Sequence, residues 1–267
     1  MISLDSPEVR ERLERAASWF LTPRRAESTR RDEEWIDRGT ALDLVPGLAV
    51  TSWGEGPPVL LAHGWNSRGS HWGSFIEALT EVGFQALAID APGHGGSSGG
   101  RCNVLMYGLA LIEIGRQVGP LAGVVAHSFG MGAAVIALHR GLIAERVVLM
   151  SGPSSLRCVV EEWGRRHGLV ESELPAFVEV IEREVGEPID PLDLARLAID
   201  LRQPALIVHD LTDEDISPDH GRAVAAAWPG SKTLFTRKYG HRRILFARPV
   251  IEAVVSFLKG EPVERVA

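Results

Sequence analysis

Six short apolar runs recur along the chain with helical stretches between them: PPVLLA, FQALAI, LAGVVA, ERVVLM, PALIVH and KTLFT. A strand that is apolar at successive positions is apolar on both faces, so it has to be covered on both faces. Alternation of such strands with helices predicts a mostly parallel sheet with helices packed on either side. The intervening segments SHWGSFIEALTEVG, NVLMYGLALIEIGRQVG, FGMGAAVIALHRG, GRAVAAAWPG and PVIEAVVSFLKG read as those helices. Upstream, EEWIDRG and ALDLVPGLAVTSWGEG read as antiparallel edge strands.

The alternation stops between residues 154 and 203, where LRCVVEEWGRRHG and LPAFVEVIEREVG are amphipathic and charged, with no strand among them. The sheet pattern then resumes. Residues 1–153 and 204–267 are therefore expected to form two parts of one core, with 154–203 a helical insertion after the fourth parallel strand. At the start of the chain, Val9, Leu13, Ala16, Ala17 and Phe20 fall at helical spacing and predict an amphipathic helix docked on that core.

Composition removes several function classes. Of 267 residues 45% are apolar, ample for a core, and no run is long enough to predict a membrane span. A net charge of -7 without a basic block argues against a nucleic-acid partner. The N-terminal segment is charged throughout, unlike a secretory leader. Cys102 and Cys158, the two cysteines, lie far apart and suit a reducing compartment, so a cytoplasmic location is expected. No Cys/His cluster with metal-ligand spacing is present, and GHGGSSGG lacks the spacing of a phosphate loop, so neither metal nor other cofactor is expected.

One strand ends in polar residues. In GVVAHSFGMGAAV, His127 and Ser128 interrupt an apolar run where a strand must turn at once into a helix. Small residues two before and two after the serine, Ala126 and Gly130, let strand and helix approach closely. The serine hydroxyl is then exposed above the sheet, beside the unpaired first-turn amides of the helix. In an open sheet of this kind ligands gather at the carboxyl ends of strands. A helix-capping serine is the bland alternative. The position favours a nucleophile.

Further polar residues stand at other strand ends: His63-Gly64-Trp65 after PPVLLA, the turn DAPGHGGSS after the second strand, Asp213 in HDLTDED, and His241 in YGHRR after the last strand. A-H-S-F-G is one residue from the G-x-S-x-G elbow, and the order Ser, Asp, His is the order of the α/β-hydrolase sheet. From about Trp53 onward the chain resembles the α/β-hydrolase family. The resemblance implies Ser128 as nucleophile, His241 as general base and Asp213 as the acid that orients it. It also implies the backbone N–H groups of Trp65 and Phe129 as an oxyanion hole, and the insertion as a lid. Asp210 and Asp215 compete for the acid's role on the same loop. Trp163 and Phe177 in the insertion are candidate pocket residues, with packing as the alternative.

The expected activity is hydrolysis of a carboxylic ester of a small or medium-sized apolar acyl substrate, through an acyl-enzyme. Thioester, amide or acyl-transfer chemistry with the same residues, or ligand binding without turnover, are the alternatives.

Overall fold

The computed structural model describes residues 6–25 and 27–263. Eight strands form one sheet: β1 (Thr40–Leu42), β2 (Val50–Trp53), β3 (Pro58–Ala62), β4 (Gln85–Ile89), β5 (Leu121–His127), β6 (Ala144–Met150), β7 (Ala205–Asp210) and β8 (Lys232–Thr236). Their order across the sheet is β1-β2-β4-β3-β5-β6-β7-β8. β1 and β2 run antiparallel to their neighbours, and β4 through β8 with β3 are parallel. The six apolar runs of the sequence are the six parallel strands. Pleating sends alternate side chains to opposite faces. Thus Leu60, Ala62, Leu87 and Ile89 join one hydrophobic core, while Val59, Leu61, Ala86 and Ala88 join the other.

The first core is closed by α1 (Pro7–Phe20), α4 (Val104–Val118) and α5 (Phe129–His139), and the second by α3 (Gly73–Glu81) and α11 (Arg248–Leu258). α1 begins at Ser6, whose hydroxyl caps the Val9 N–H, and it buries Val9, Leu13 and Ala17. One expectation fails here. EEWIDRG is not an edge strand; it lies within and just after α2 (Arg30–Asp37). Thr29 and Asp32 cap the start of that helix reciprocally, satisfying first-turn N–H groups that an edge strand would leave open. The antiparallel edge comes instead from β1 and β2.

Between β6 and β7 lie α6 (Leu156–Arg166), α7 (Leu174–Val185) and α8 (Leu194–Ala198). α8 packs against α5 and α9 (Pro218–Ala227), while α6 and α7 pack on each other and α7 packs on α1. The Arg12–Glu173 ion pair and a cluster of aromatic rings link α1 to this block. The last short helix, α10 (Gly240–Arg243), follows β8. Among the described residues no helix is long and apolar enough to cross a membrane.

Candidate active site

Ser128 sits between β5 and α5 with φ 53 and ψ -118, a backbone conformation that non-glycine residues seldom adopt. The turn is held by the Ser128 N–H, which donates to Met150 O on the neighbouring strand at 2.9 Å. It also needs a glycine two residues on. A Cβ at Gly130 would stand 2.4 Å from Ala62 O, inside contact distance of β3. The sharp turn and the small residue are thus one requirement, met so that the hydroxyl leaves the sheet.

His241 enters on α10, and its Nε2 lies 2.9 Å from Ser128 Oγ. Its Nδ1 lies 2.8 Å from Asp213 Oδ2. With Nδ1–H donating to the carboxylate, Nε2 is left with a lone pair facing the Ser128 hydroxyl. Burial by itself would raise the Asp213 carboxyl. Hydrogen bonds from His209 and His241, with the Ile216 N–H, outweigh it and hold the group well below the usual carboxylate range. Asp213 Oδ1 accepts from the Asp215 and Ile216 N–H groups at 3.0 and 2.9 Å, which leaves Oδ2 for the histidine. Asp215 meets Asp213 through its backbone, and its side chain is exposed.

The loop after β3 is ordered by a buried histidine. His63 Nδ1–H donates to Gly64 O at 2.7 Å, and Nε2 accepts the Ala91 N–H at 3.0 Å. Burial pushes this imidazole down to about 3, so it stays neutral, with its tautomer set by those two bonds. Trp65 follows, its indole edge-on to Phe129 at 4.9 Å and to His94 at 5.0 Å. Among the described residues neither the Trp65 nor the Phe129 N–H donates to the protein.

Three residues at the site acquire roles that single-residue inspection of the sequence does not give. His127 Nε2–H donates to His241 O at 2.8 Å and so holds the backbone of that residue. His209 is fully buried, with Nε2 3.3 Å from Asp213 Oδ2 and 3.0 Å from Ile216 O. Asp210 is fully buried and accepts five hydrogen bonds, from Thr212 N–H and O–H, Thr236 O–H, and the Lys238 and Tyr239 N–H groups. It therefore joins the loop that carries Asp213 to the loop that carries His241. The signal for it was present as an acidic residue ending an apolar strand.

Trp163 and Phe177 lie apart from these groups in the contacts they make. Phe177 is fully buried, stacked with Trp163 at 5.7 Å and edge-on to Phe20 of α1 at 6.3 Å. Trp163 in turn stacks on His167 at 3.8 Å. A recess of about 470 Å³ opens beside His241, lined by Thr212, Glu214, Asp215, Tyr239, Arg242 and Arg243 among others. Among the described residues no group of three or more His, Cys, Asp or Glu side chains is arranged to hold a metal ion.

The chain is similar to known proteins at both the sequence and the fold level. It is 31% identical over 147 residues to a pimeloyl-[acyl-carrier protein] methyl ester esterase of Nitrosospira multiformis, over 51% of this chain and 53% of that protein. It is 27% identical over 155 residues to a non-heme haloperoxidase of Rhodococcus erythropolis, over 55% of this chain and 48% of that protein. The chain thus spans about half the length of these curated relatives. The fold superposes on an esterase from Exiguobacterium antarcticum with a TM-score of 0.63 at 18% identity, covering 83% of this chain and 99% of that one. A sequence model described as the alpha/beta hydrolase family matches residues 59–254, which take in the Ser128 turn and the loops of Asp213 and His241, and the chain belongs to that family.

Proposed function

We propose that this chain is a serine hydrolase that cleaves a carboxylic ester of a small or medium-sized apolar acyl substrate. The observation that carries the reading is the hydrogen-bonded line Asp213–His241–Ser128, at 2.8 and 2.9 Å, ending on a serine at a strained strand-to-helix turn. The names of the esterase relatives support the ester over other acyl substrates.

The mechanism follows from the tautomer. Ser128 Oγ attacks the ester carbonyl carbon while His241 Nε2 takes its proton, and Asp213 balances the imidazolium charge. The carbonyl oxygen becomes an oxyanion, received by the unengaged N–H groups of Trp65 and Phe129. Each such donor contributes about 3 kcal/mol in sites of this type. His241 then gives its proton to the departing alkoxide, leaving an acyl-serine. Water, deprotonated by the same histidine, repeats the attack and frees the acid. Residues 154–203 serve as a lid: the insertion leaves the sheet at the end of β6, beside the strand that bears Ser128. A Cβ on Gly132, in the first turns of α5, would be 3.9 Å from the Leu156 side chain, so α6 starts close to the elbow.

Turnover of a p-nitrophenyl ester panel of increasing acyl length, with labelling by a fluorophosphonate probe, tests the reading. Turnover and labelling that both vanish in Ser128→Ala are expected. A protein that binds acyl ligands but neither reacts with the probe nor hydrolyses any ester would be a binder, and the proposal would fall.

A further inference from the structure

Arg68 lies three residues beyond Trp65. The residue is 7% exposed, and among the described residues neither its Nε nor its Nη1 has a hydrogen-bond partner. A buried charge is ordinarily paired or fully hydrogen-bonded, because leaving it bare forfeits its hydration without return. A histidine or lysine in this position could lose its proton. A guanidinium does not do so in proteins, so the charge has to be met by something else.

The same side chain borders a cavity of about 390 Å³. The cavity lies over β2 and β4, with β3 between it and the strand that carries Ser128. Its walls are mainly apolar, with Leu42, Leu48, Val50 and Trp53 among them. Two carboxylates also line it, Asp43 and Asp90. Asp43 is exposed, and Asp90 has one oxygen on the Gly69 N–H at 2.6 Å and the other on the Gly96 N–H at 2.7 Å. These two negative charges oppose any anion, and a dianion such as phosphate about twice as strongly as a monoanion. A single carboxylate matches the fork of a guanidinium, and an apolar tail matches the walls.

We propose that this cavity is a second ligand site, which binds a small monocarboxylate with an apolar tail. The carboxylate pairs with Arg68 and the tail lies against Leu42, Leu48, Val50 and Trp53. This site does not depend on the activity at Ser128.

Trp53 gives it a local reporter, since its indole N–H donates to Trp35 O at 2.9 Å beside the cavity. The test is a titration of the full chain with octanoate, below its micelle concentration, followed by the indole N–H resonance of Trp53. A saturable shift is expected, at least about tenfold weaker in affinity in Arg68→Met and indifferent to equimolar inorganic phosphate. Met is close in length and removes the uncompensated charge, so this variant should keep or raise the melting temperature. Leu48→Trp, which fills the cavity and leaves Arg68 in place, should weaken binding as well and guards against a misfolded Arg68 variant. The proposal is overturned if no saturable shift occurs, if both variants bind octanoate like the parent, or if phosphate displaces it, since the cavity would then hold water or select a different anion.

Discussion

Within four positions of one another, Asp210 and Asp213 are two buried carboxylates with different tasks, and Asp215 is a third that stays in solvent. Position alone does not separate them; partners do. Asp213 keeps one oxygen for His241, so Asp213→Asn leaves an amide that cannot impose the same tautomer. A loss of about 10⁴ in kcat is expected, against a change within a few-fold for Asp215→Asn, which keeps the backbone N–H that Asp213 uses. Equal losses on a p-nitrophenyl ester would reassign the acid. Asp210 is surrounded only by donors, so Asp210→Asn turns an NH₂ group toward N–H and O–H groups. It should cost about 3–5 kcal/mol of stability, read as a lower melting temperature, and should lower kcat because both loops lose their shared anchor. Ser128 was legible in the sequence because its elbow is local, a matter of residues two apart. The work of Asp210 was not, because its Lys238 and Tyr239 partners arrive from the loop after β8, 28 and 29 residues away.

Elements were legible where burial is symmetrical. The six parallel strands stand out because both faces are apolar, and α1 stands out because one face is. EEWIDRG misleads because Trp35 and Ile36 sit in a window too short to distinguish the two periods, and the deciding feature, the Thr29–Asp32 cap, lies just outside it. The insertion was legible as helices but not in its packing. Phe177 has no exposed surface and is wedged among Trp163, Phe20 and Gly164. Phe177→Ala is therefore expected to cost about 3–5 kcal/mol as a cavity in the block, lowering the melting temperature and the turnover of acetate and octanoate esters alike. Trp163 keeps part of its surface open, so Trp163→Ala should be milder in stability. A selective change in chain-length preference, without loss of stability, would instead make these rings part of the acyl pocket.

At the scale of the molecule, the connections that hold the strand ends together are neutral histidines, and this gives stability a direction with pH. His63 ties the loop after β3 to the turn after β4, and His127 ties β5 to α10. Burial pushes each down to about 3, with the neighbouring His241 a further cause for His127. In the unfolded chain both return to about 6.5. Between those values the unfolded state binds more protons than the native one, so acid favours unfolding, and the contribution of each histidine is whole only above about pH 6.5. At full effect the two together give a slope of about 2.7 kcal/mol per pH unit, stability falling as pH falls. His71, His94 and His220 are lowered too, by burial first, and act in the same direction. Asp210 and Asp213 are held low by their hydrogen bonds despite burial, so their contribution is present above the ordinary carboxylate range and is lost below it. Urea unfolding at pH 8, 7, 6 and 5 should show a plateau near pH 8 and a steepening loss below pH 6.5. His63→Gln should be less stable at pH 8, where the imidazole bonds are intact, yet show a shallower fall on acidification. A stability that rises between pH 7 and 5, or a slope that the substitution leaves unchanged, would mean that these histidines are charged in the folded protein and that the strand ends are held in some other way.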